Sequence, residues 1–191
     1  MADTSDIVVL AAGLSSRMGA FKPLMPFKHS TIIETVIDTA LAISNRVIVV
    51  VGFRPADIVN LKKWDKRVIF AENRQYEKGM FSSVKVGATL VKSPRFFIVL
   101  GDQPQISVAV YRKLLETEPA DVVQPSFLGK AGHPILVSEK VRQAILAADE
   151  NDPAVNLRTV IEPFPKQLVR VSEPDILIDL DTPEDYNRRE R

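Results

Sequence analysis

Residues Ile7 to Lys28, IVVLAAGLSSRMGAFKPLMPFK, decide how the rest of the chain is read. The stretch opens on Ile7-Val8-Val9-Leu10, an apolar, β-branched run bounded by small residues, which is the pattern of a buried strand. A small, flexible segment follows with Ala11, Ala12, Gly13, Ser15 and Ser16, then two cations, Arg17 and Lys22, and a second glycine, Gly19. Glycine lets backbone approach a ligand, successive N–H groups form anion-binding concavities, and Arg and Lys neutralise phosphate charge. Two familiar phosphate loops are excluded. No Walker string is present, and Gly13 and Gly19 lie too far apart for a dinucleotide fingerprint. An ordinary βα loop with solvated charges has the same local composition, so the remaining sequence has to separate the two readings.

At 191 residues the chain is long enough for one substantial core and marginal for two. It is 46% hydrophobic and 26% charged, ordinary for a globular protein, and its formal charge of +1 gives no bulk attraction to nucleic acid or an anionic membrane. No apolar run approaches the roughly 20 residues of a membrane span. The first residues lack the basic and apolar regions of a secretory signal. Cysteine is absent, which excludes disulfides, thiolate nucleophiles and Cys-bound metal and fits a cytoplasmic protein. With only His29 and His133 available, any metal rests on carboxylates and phosphates, which favours Mg²⁺.

Strands and helices alternate along the chain. Further buried strands are expected over 46–52, 68–71, 96–100 and 121–124. Helices are expected from a cap at Ser30 or Thr31 with Glu34 as capping-box partner, over 55–64, 79–91 and 106–117. The later third predicts strands at 134–137, 167–171 and 176–179, helices after Ser138 and over 157–161, and a last helix capped by Thr182. The pattern predicts an α/β sandwich whose mainly parallel sheet is covered on both faces. Ligands in such sheets bind beyond the carboxyl ends of the strands, where the opening loop, Asn73 to Ser83 and Gly101 to Gln105 all fall. No repeat, linker or low-complexity segment divides the chain, so residues 1–191 read as one domain.

Four constellations carry candidate chemistry. Asp102, in Gly101-Asp102-Gln103-Pro104 after a strand, can hold Mg²⁺ against phosphates, although a turn-forming Asp reads the same way. Asp179 and Asp181 point to one side of an extended segment and offer a second carboxylate, while Glu184 and Asp185 suit a helix start. Gly79 with Ser82 and Ser83 makes a helix N-terminus with free N–H groups and hydroxyls. His133, in Gly132-His133-Pro134, follows Lys130 and by itself reads as a structural hydrogen-bonder.

Leu10-Ala11-Ala12-Gly13-x-Ser15-x-Arg17-Met18-Gly19 followed by Lys22-Pro23-Leu24 resembles the opening signature of the molybdenum cofactor cytidylyl- and guanylyltransferase-like nucleotidyltransferases. The later blocks around Gly79, Asp102, Gly132-His133-Pro134 and Asp179 to Asp185 resemble the family in the same order. The resemblance implies a three-layer, Rossmann-like fold of the nucleotide-diphospho-sugar transferase type, with nucleotide bound by about residues 1–105 and acceptor by about 106–191. It implies that Arg17 and Lys22 hold the triphosphate and that the Leu10, Ala11, Ala12 and Gly13 backbone lies against the base. Gly79 and Ser83 (with Ser82 as alternative) would touch the nucleotide, and Asp102 with Asp181 or Asp179 would hold Mg²⁺. His133 and Lys130 would lie on the acceptor side. Arg17, Lys22 and Asp102 are thus the catalytic candidates.

The implied reaction transfers a nucleotidyl group from an NTP to the terminal phosphate of molybdopterin cofactor and releases pyrophosphate. Ala11-Ala12-Gly13 resembles the cytidylyl branch, where the Ala12 methyl narrows the base pocket, so CTP is expected rather than GTP. A molybdenum hydroxylase is the implied client. Two departures, Ala131 where the family often has Arg and Asn151-Asp152-Pro153 in place of a glycine-containing turn, fall in the acceptor half. Other readings are a same-fold transferase for another phosphate monoester and a non-enzymatic cofactor-insertion chaperone.

Overall fold

The computed structural model describes residues 5–14, 20–178 and 186, and in it the opening apolar run is strand β1 (Asp6–Ala11), inside the main sheet. The other strands are β2 (Pro26–Phe27), β3 (Ser30–Thr31), β4 (Val47–Val51), β5 (Val68–Glu72), β6 (Arg95–Leu100), β7 (Val122–Phe127), β8 (Lys130–Ala131), β9 (Ile135–Ser138) and β10 (Lys166–Arg170). The helices are α1 (Ile32–Leu41), α2 (Pro55–Val59), α3 (Met80–Leu90), α4 (Val108–Leu115), α5 (Glu139–Ala147) and α6 (Leu157–Ile161).

The main sheet runs β10-β7-β9-β6-β1-β4-β5, with β8 attached to β7. Strands β5, β4, β1 and β6 are parallel, so their carboxyl ends share one edge. Strand β9 is inserted antiparallel between β6 and β7, and the short β8 pairs antiparallel with β7. The reversal starts at Leu128-Gly129, where φ is +49° and +80°, the paired left-handed backbone of a two-residue hairpin turn. Side chains alternate across β1 as a pleated strand requires. Ile7, Val9 and Ala11 enter one apolar layer with Val36 and Ile37 of α1 and Val110 and Leu114 of α4. Val8 enters the opposite layer with Val84 and Ala88 of α3 and Val141 and Ile145 of α5. Burial of each such aliphatic side chain contributes about 1.5–3 kcal/mol, so both faces of β1 are committed to packing and its chemistry is confined to its end.

Local signals explain most boundaries. Thr31 caps α1, its hydroxyl accepting from the Glu34 N–H at 3.3 Å while the Glu34 carboxylate accepts from the Thr31 N–H at 3.1 Å. Burial opposes the Glu34 charge, but hydrogen bonds from Thr31, Ser30 and Lys62 outweigh it and hold the carboxyl down at about 2. Glycine 87 lets α3 lie on β1, since a Cβ there would sit 2.3 Å from a Val8 methyl carbon.

Two expectations are corrected. The helix expected over 55–64 stops at Val59, because the Trp64 indole turns back and donates to the carbonyls of Ile58 and Val59. The strand expected over 176–179 is instead a 3-10 turn, Pro174–Leu177, whose Ile176 carbonyl accepts from the His133 N–H. The hairpin β2–β3 was not foreseen; against it pack Tyr186 and Ile32, and the Tyr186 hydroxyl donates to the Pro26 carbonyl. No helix among the described residues is long and apolar enough to cross a membrane.

Replacing Thr31 by Ala removes one half of the capping box. The expected cost is about 1 kcal/mol, read as a lower urea midpoint at unchanged slope.

Candidate functional site

The parallel strands end side by side, and tight backbone contacts bring their exits together. Gly101 N–H, just past β6, donates to the Leu10 carbonyl of β1 at 2.9 Å, and a Cβ at Gly101 would lie only 2.6 Å from that oxygen. Glycine is therefore what allows the β6 exit to close on β1. The next residue, Asp102, accepts from Lys22 Nζ at 2.9 Å. Lys22 opens a 3-10 turn, Lys22–Leu24, and its side chain is only 10% exposed against 29% for Asp102.

A similar closure fixes the β4 side. A Cβ at Gly52 would lie 2.7 Å from Tyr76 Cβ and 2.9 Å from Ala12 Cβ, and the Phe53 N–H donates to the Ala12 carbonyl at 3.1 Å. The Ala12 methyl is thereby pinned between β4 and the turn Tyr76–Lys78.

Past β5, Asn73 is buried and organises the start of α3. Its amide donates to the hydroxyls of Ser82 and Ser83, both at 2.9 Å, and its Oδ1 accepts from the Gln75 N–H at 2.9 Å. Ser82 spends its proton on the Gly79 carbonyl at 2.8 Å, whereas the Ser83 hydroxyl proton has no acceptor among the described residues. Gly79 adopts φ +97°, a left-handed backbone that suits glycine, where the chain turns into α3.

Together these exits enclose a cavity of about 470 Å³. Leu10, Ala11, Ala12, Gly13, Lys22, Gly79, Ser83 and Asp102 all line it, so every described residue expected at the nucleotide meets in one place. Ser82 faces inward instead. The sequence places the segment Asn73 to Ser83 at this edge but gives no individual role to the lining residues Tyr76, Glu77 and Met80, nor to Asn73, whose signal is a polar side chain placed directly after a strand and nine residues before a serine pair. Arg17, Asp179 and Asp181 lie outside the described residues.

The chain leading to Asp179 is held against the Asp102 turn. The amides of Gln103 and Gln105 donate to the Ile178 carbonyl at 3.3 and 2.7 Å. Among the described residues no cluster of three or more metal-binding side chains occurs. Asp102 nonetheless fits a hard divalent cation, as a partly exposed oxygen donor facing the cavity.

His133 and Lys130 do not line this cavity. Lys130 is exposed on β8. Gly132 and His133 are stitched in by Gly132 N–H to the Pro125 carbonyl at 2.9 Å and His133 N–H to the Ile176 carbonyl at 3.2 Å, and a Cβ at Gly132 would lie 2.2 Å from that Ile176 oxygen. The His133 Nε2 is buried with no hydrogen-bond partner among the described residues. Burial pushes the imidazole down to about 4, and the nearby Asp102 charge only partly opposes this, so the ring is neutral at pH 7.

The sequence from residue 7 to 171 matches the family described as MobA-like NTP transferase domain. The chain is 30% identical over 181 residues to the molybdenum cofactor cytidylyltransferase of Escherichia coli (strain K12), covering 95% of this chain and 93% of that protein. Its fold matches the crystal structure of Rv0371c from Mycobacterium tuberculosis H37Rv at a TM-score of 0.81, with 26% identity over 97% of both chains. A structure of Rv0371c in complex with manganese has the same fold, at a TM-score of 0.76, with 23% identity over 98% of both chains.

The depressed His133 makes folding pH-dependent. The unfolded chain takes up this proton near pH 6.5 and the folded chain near 4, so the contribution is complete above about 7 and is lost as pH falls through that window. Urea titrations should show His133→Gln losing less stability than the parent between those limits, by about 1–3 kcal/mol.

Proposed function

The chain belongs to the MobA-like NTP transferase domain family, and from that membership we propose that this nucleotidyltransferase moves CMP from CTP to the terminal phosphate of a molybdopterin-type cofactor, with Mg²⁺ as its metal. The observation that carries the reading is the Lys22–Asp102 pair at the edge of a nucleotide-sized cavity over the ends of β1 and β6.

An oxygen of the acceptor phosphate attacks the α-phosphorus of the triphosphate. The bond from that phosphorus to the β-phosphate bridging oxygen breaks, and pyrophosphate leaves with the electron pair. The nucleophile is already anionic, so no general base is needed, which suits a cavity lined by neither His nor Cys. Mg²⁺ bound at Asp102 would supply charge neutralisation at the phosphates. Lys22, held in place by burial, stabilises the charge that grows on the departing pyrophosphate, and positioning with fixed charges supplies most of catalysis of this kind. The backbone of Leu10 to Gly13 forms a flat wall for the base, and the Ser83 hydroxyl and the start of α3 face the nucleoside. Arg17 is assigned to the triphosphate, Asp181 or Asp179 to the metal as second carboxylate, and His133 and Lys130 to the acceptor. The preference for CTP rests on Ala12, whose buried methyl packs against Gly52 and Tyr76 in the pocket wall and leaves room for the smaller base.

The test is pyrophosphate release with molybdopterin cofactor, Mg²⁺ and each NTP in turn. Turnover should be fastest with CTP; faster turnover with GTP overturns the nucleotide assignment. Asp102→Asn keeps a hydrogen-bond acceptor beside the buried Lys22. It should fold normally by circular dichroism while turnover falls about 100-fold or more. Full activity in that variant would remove Asp102 from the mechanism.

A further inference from the structure

Besides Lys22 and Asp102, one more charged side chain lines the cavity among the described residues, Glu77. It lies in the turn Tyr76–Lys78, which is held from several sides. Gly79 N–H donates to the Tyr76 carbonyl at 3.1 Å, the Phe53 ring lies 6.4 Å from the Tyr76 ring, and Gly52 abuts Tyr76 Cβ. The neighbouring Lys78 is engaged elsewhere, donating to Asn151 at 2.8 Å and pairing with Glu150 at 3.5 Å. The Glu77 carboxylate has no hydrogen-bond or ion-pair partner among the described residues.

Glu77 is exposed in the empty cavity, and a carboxylate without a partner opposes the approach of a polyanion unless its lone pairs meet donors on the ligand. Its place in the sheet says which part of a nucleotide it meets. Asp102 leaves β6, whereas the Tyr76 turn packs over the exit of β4, two strand positions away across β1. At about 4.8 Å per strand that is about 10 Å, the reach from an α-phosphate to the far edge of its base. The wall between them is short of acceptors. The Leu10 and Ala12 carbonyls are already taken by Gly101 and Phe53, and Ala11, Ala12 and Met80 present apolar surface. A carboxylate only accepts hydrogen bonds. Cytosine presents an amino group where uracil, of the same size, presents a carbonyl oxygen.

We propose that Glu77 reads the amino-bearing edge of the nucleobase, admitting cytosine and rejecting uracil. The proposal rests on the nucleotidyltransferase reading of the cavity and adds a second determinant to Ala12. The methyl of Ala12 limits base size, and Glu77 tests for a donor at the base edge.

Calorimetric binding of CTP, UTP and dCTP with Mg²⁺, to the parent chain, Glu77→Gln and Glu77→Ala, tests it. The parent should bind CTP about tenfold or more tightly than UTP, the worth of a hydrogen bond to a charged acceptor. Glu77→Gln, whose amide donates as well as accepts, should bring the CTP to UTP ratio within about threefold and leave the CTP to dCTP ratio unchanged. An unchanged CTP to UTP ratio in both variants overturns the proposal. So does a collapse of the CTP to dCTP ratio, which places the carboxylate on the ribose instead. If no Mg-nucleotide binds the parent chain, the nucleotidyltransferase reading of the cavity fails and Glu77 falls with it. If nucleotides bind and the ratios stand still, only Glu77 falls.

Discussion

A lysine ammonium buried against an aspartate carboxylate is an expensive arrangement. Both charges give up water, and the attraction regained seldom exceeds the desolvation cost, so such a pair is poor evidence of selection for stability. In this chain Lys22 and Asp102 come from turns 80 residues apart. They meet because Gly101 lets the β6 exit press on the Leu10 carbonyl and because the Lys22–Leu24 turn folds back over the same edge. A pair that is costly at rest suits the proposed role, in which the carboxylate would be exchanged for a cation and the ammonium for a phosphate.

The same edge shows a recurrent packing solution. At Gly52, Gly101 and Gly132 a Cβ would collide with the neighbouring segment, in each case with a backbone oxygen among the atoms met. Each glycine stands where one strand exit or turn must close on another. Beside Gly52 and Gly101 the cavity wall therefore includes main chain brought within hydrogen-bond distance of main chain, a surface with little freedom to adjust. Under the proposed reading, that rigidity would let the Ala12 methyl limit base size and the Glu77 carboxylate test the base edge.

Much of this was legible in the sequence because it depends on local chemistry. The apolar runs of β1, β4 and β6 are unbroken, Thr31 and Glu34 form a cap from adjacent residues, and cavity-lining residues occur where strands end. The misreadings arise where a side chain or a distant segment claims backbone groups. The apolar spacing of Ile58 and Leu61 continues a helical pattern, but the Trp64 indole claims the carbonyls at its end. Residues 176–178 have strand composition, but the Ile176 carbonyl belongs to His133. Glu77 reads as an ordinary turn charge until Tyr76 is seen wedged against Gly52.

The Tyr186 hydroxyl on the Pro26 carbonyl gives the chain a second fastening, beyond the one at Ile178 on the Gln103 and Gln105 amides. One fastening lies at the turn that carries Asp102, the other on the hairpin that follows Lys22. Eight peptide units separate Ile178 from Tyr186, a contour of at most about 28 Å. While both hydrogen bonds hold, the Asp102 turn and the hairpin after Lys22 are therefore linked through the chain's own late segment, and a change that loosens one is felt at the other.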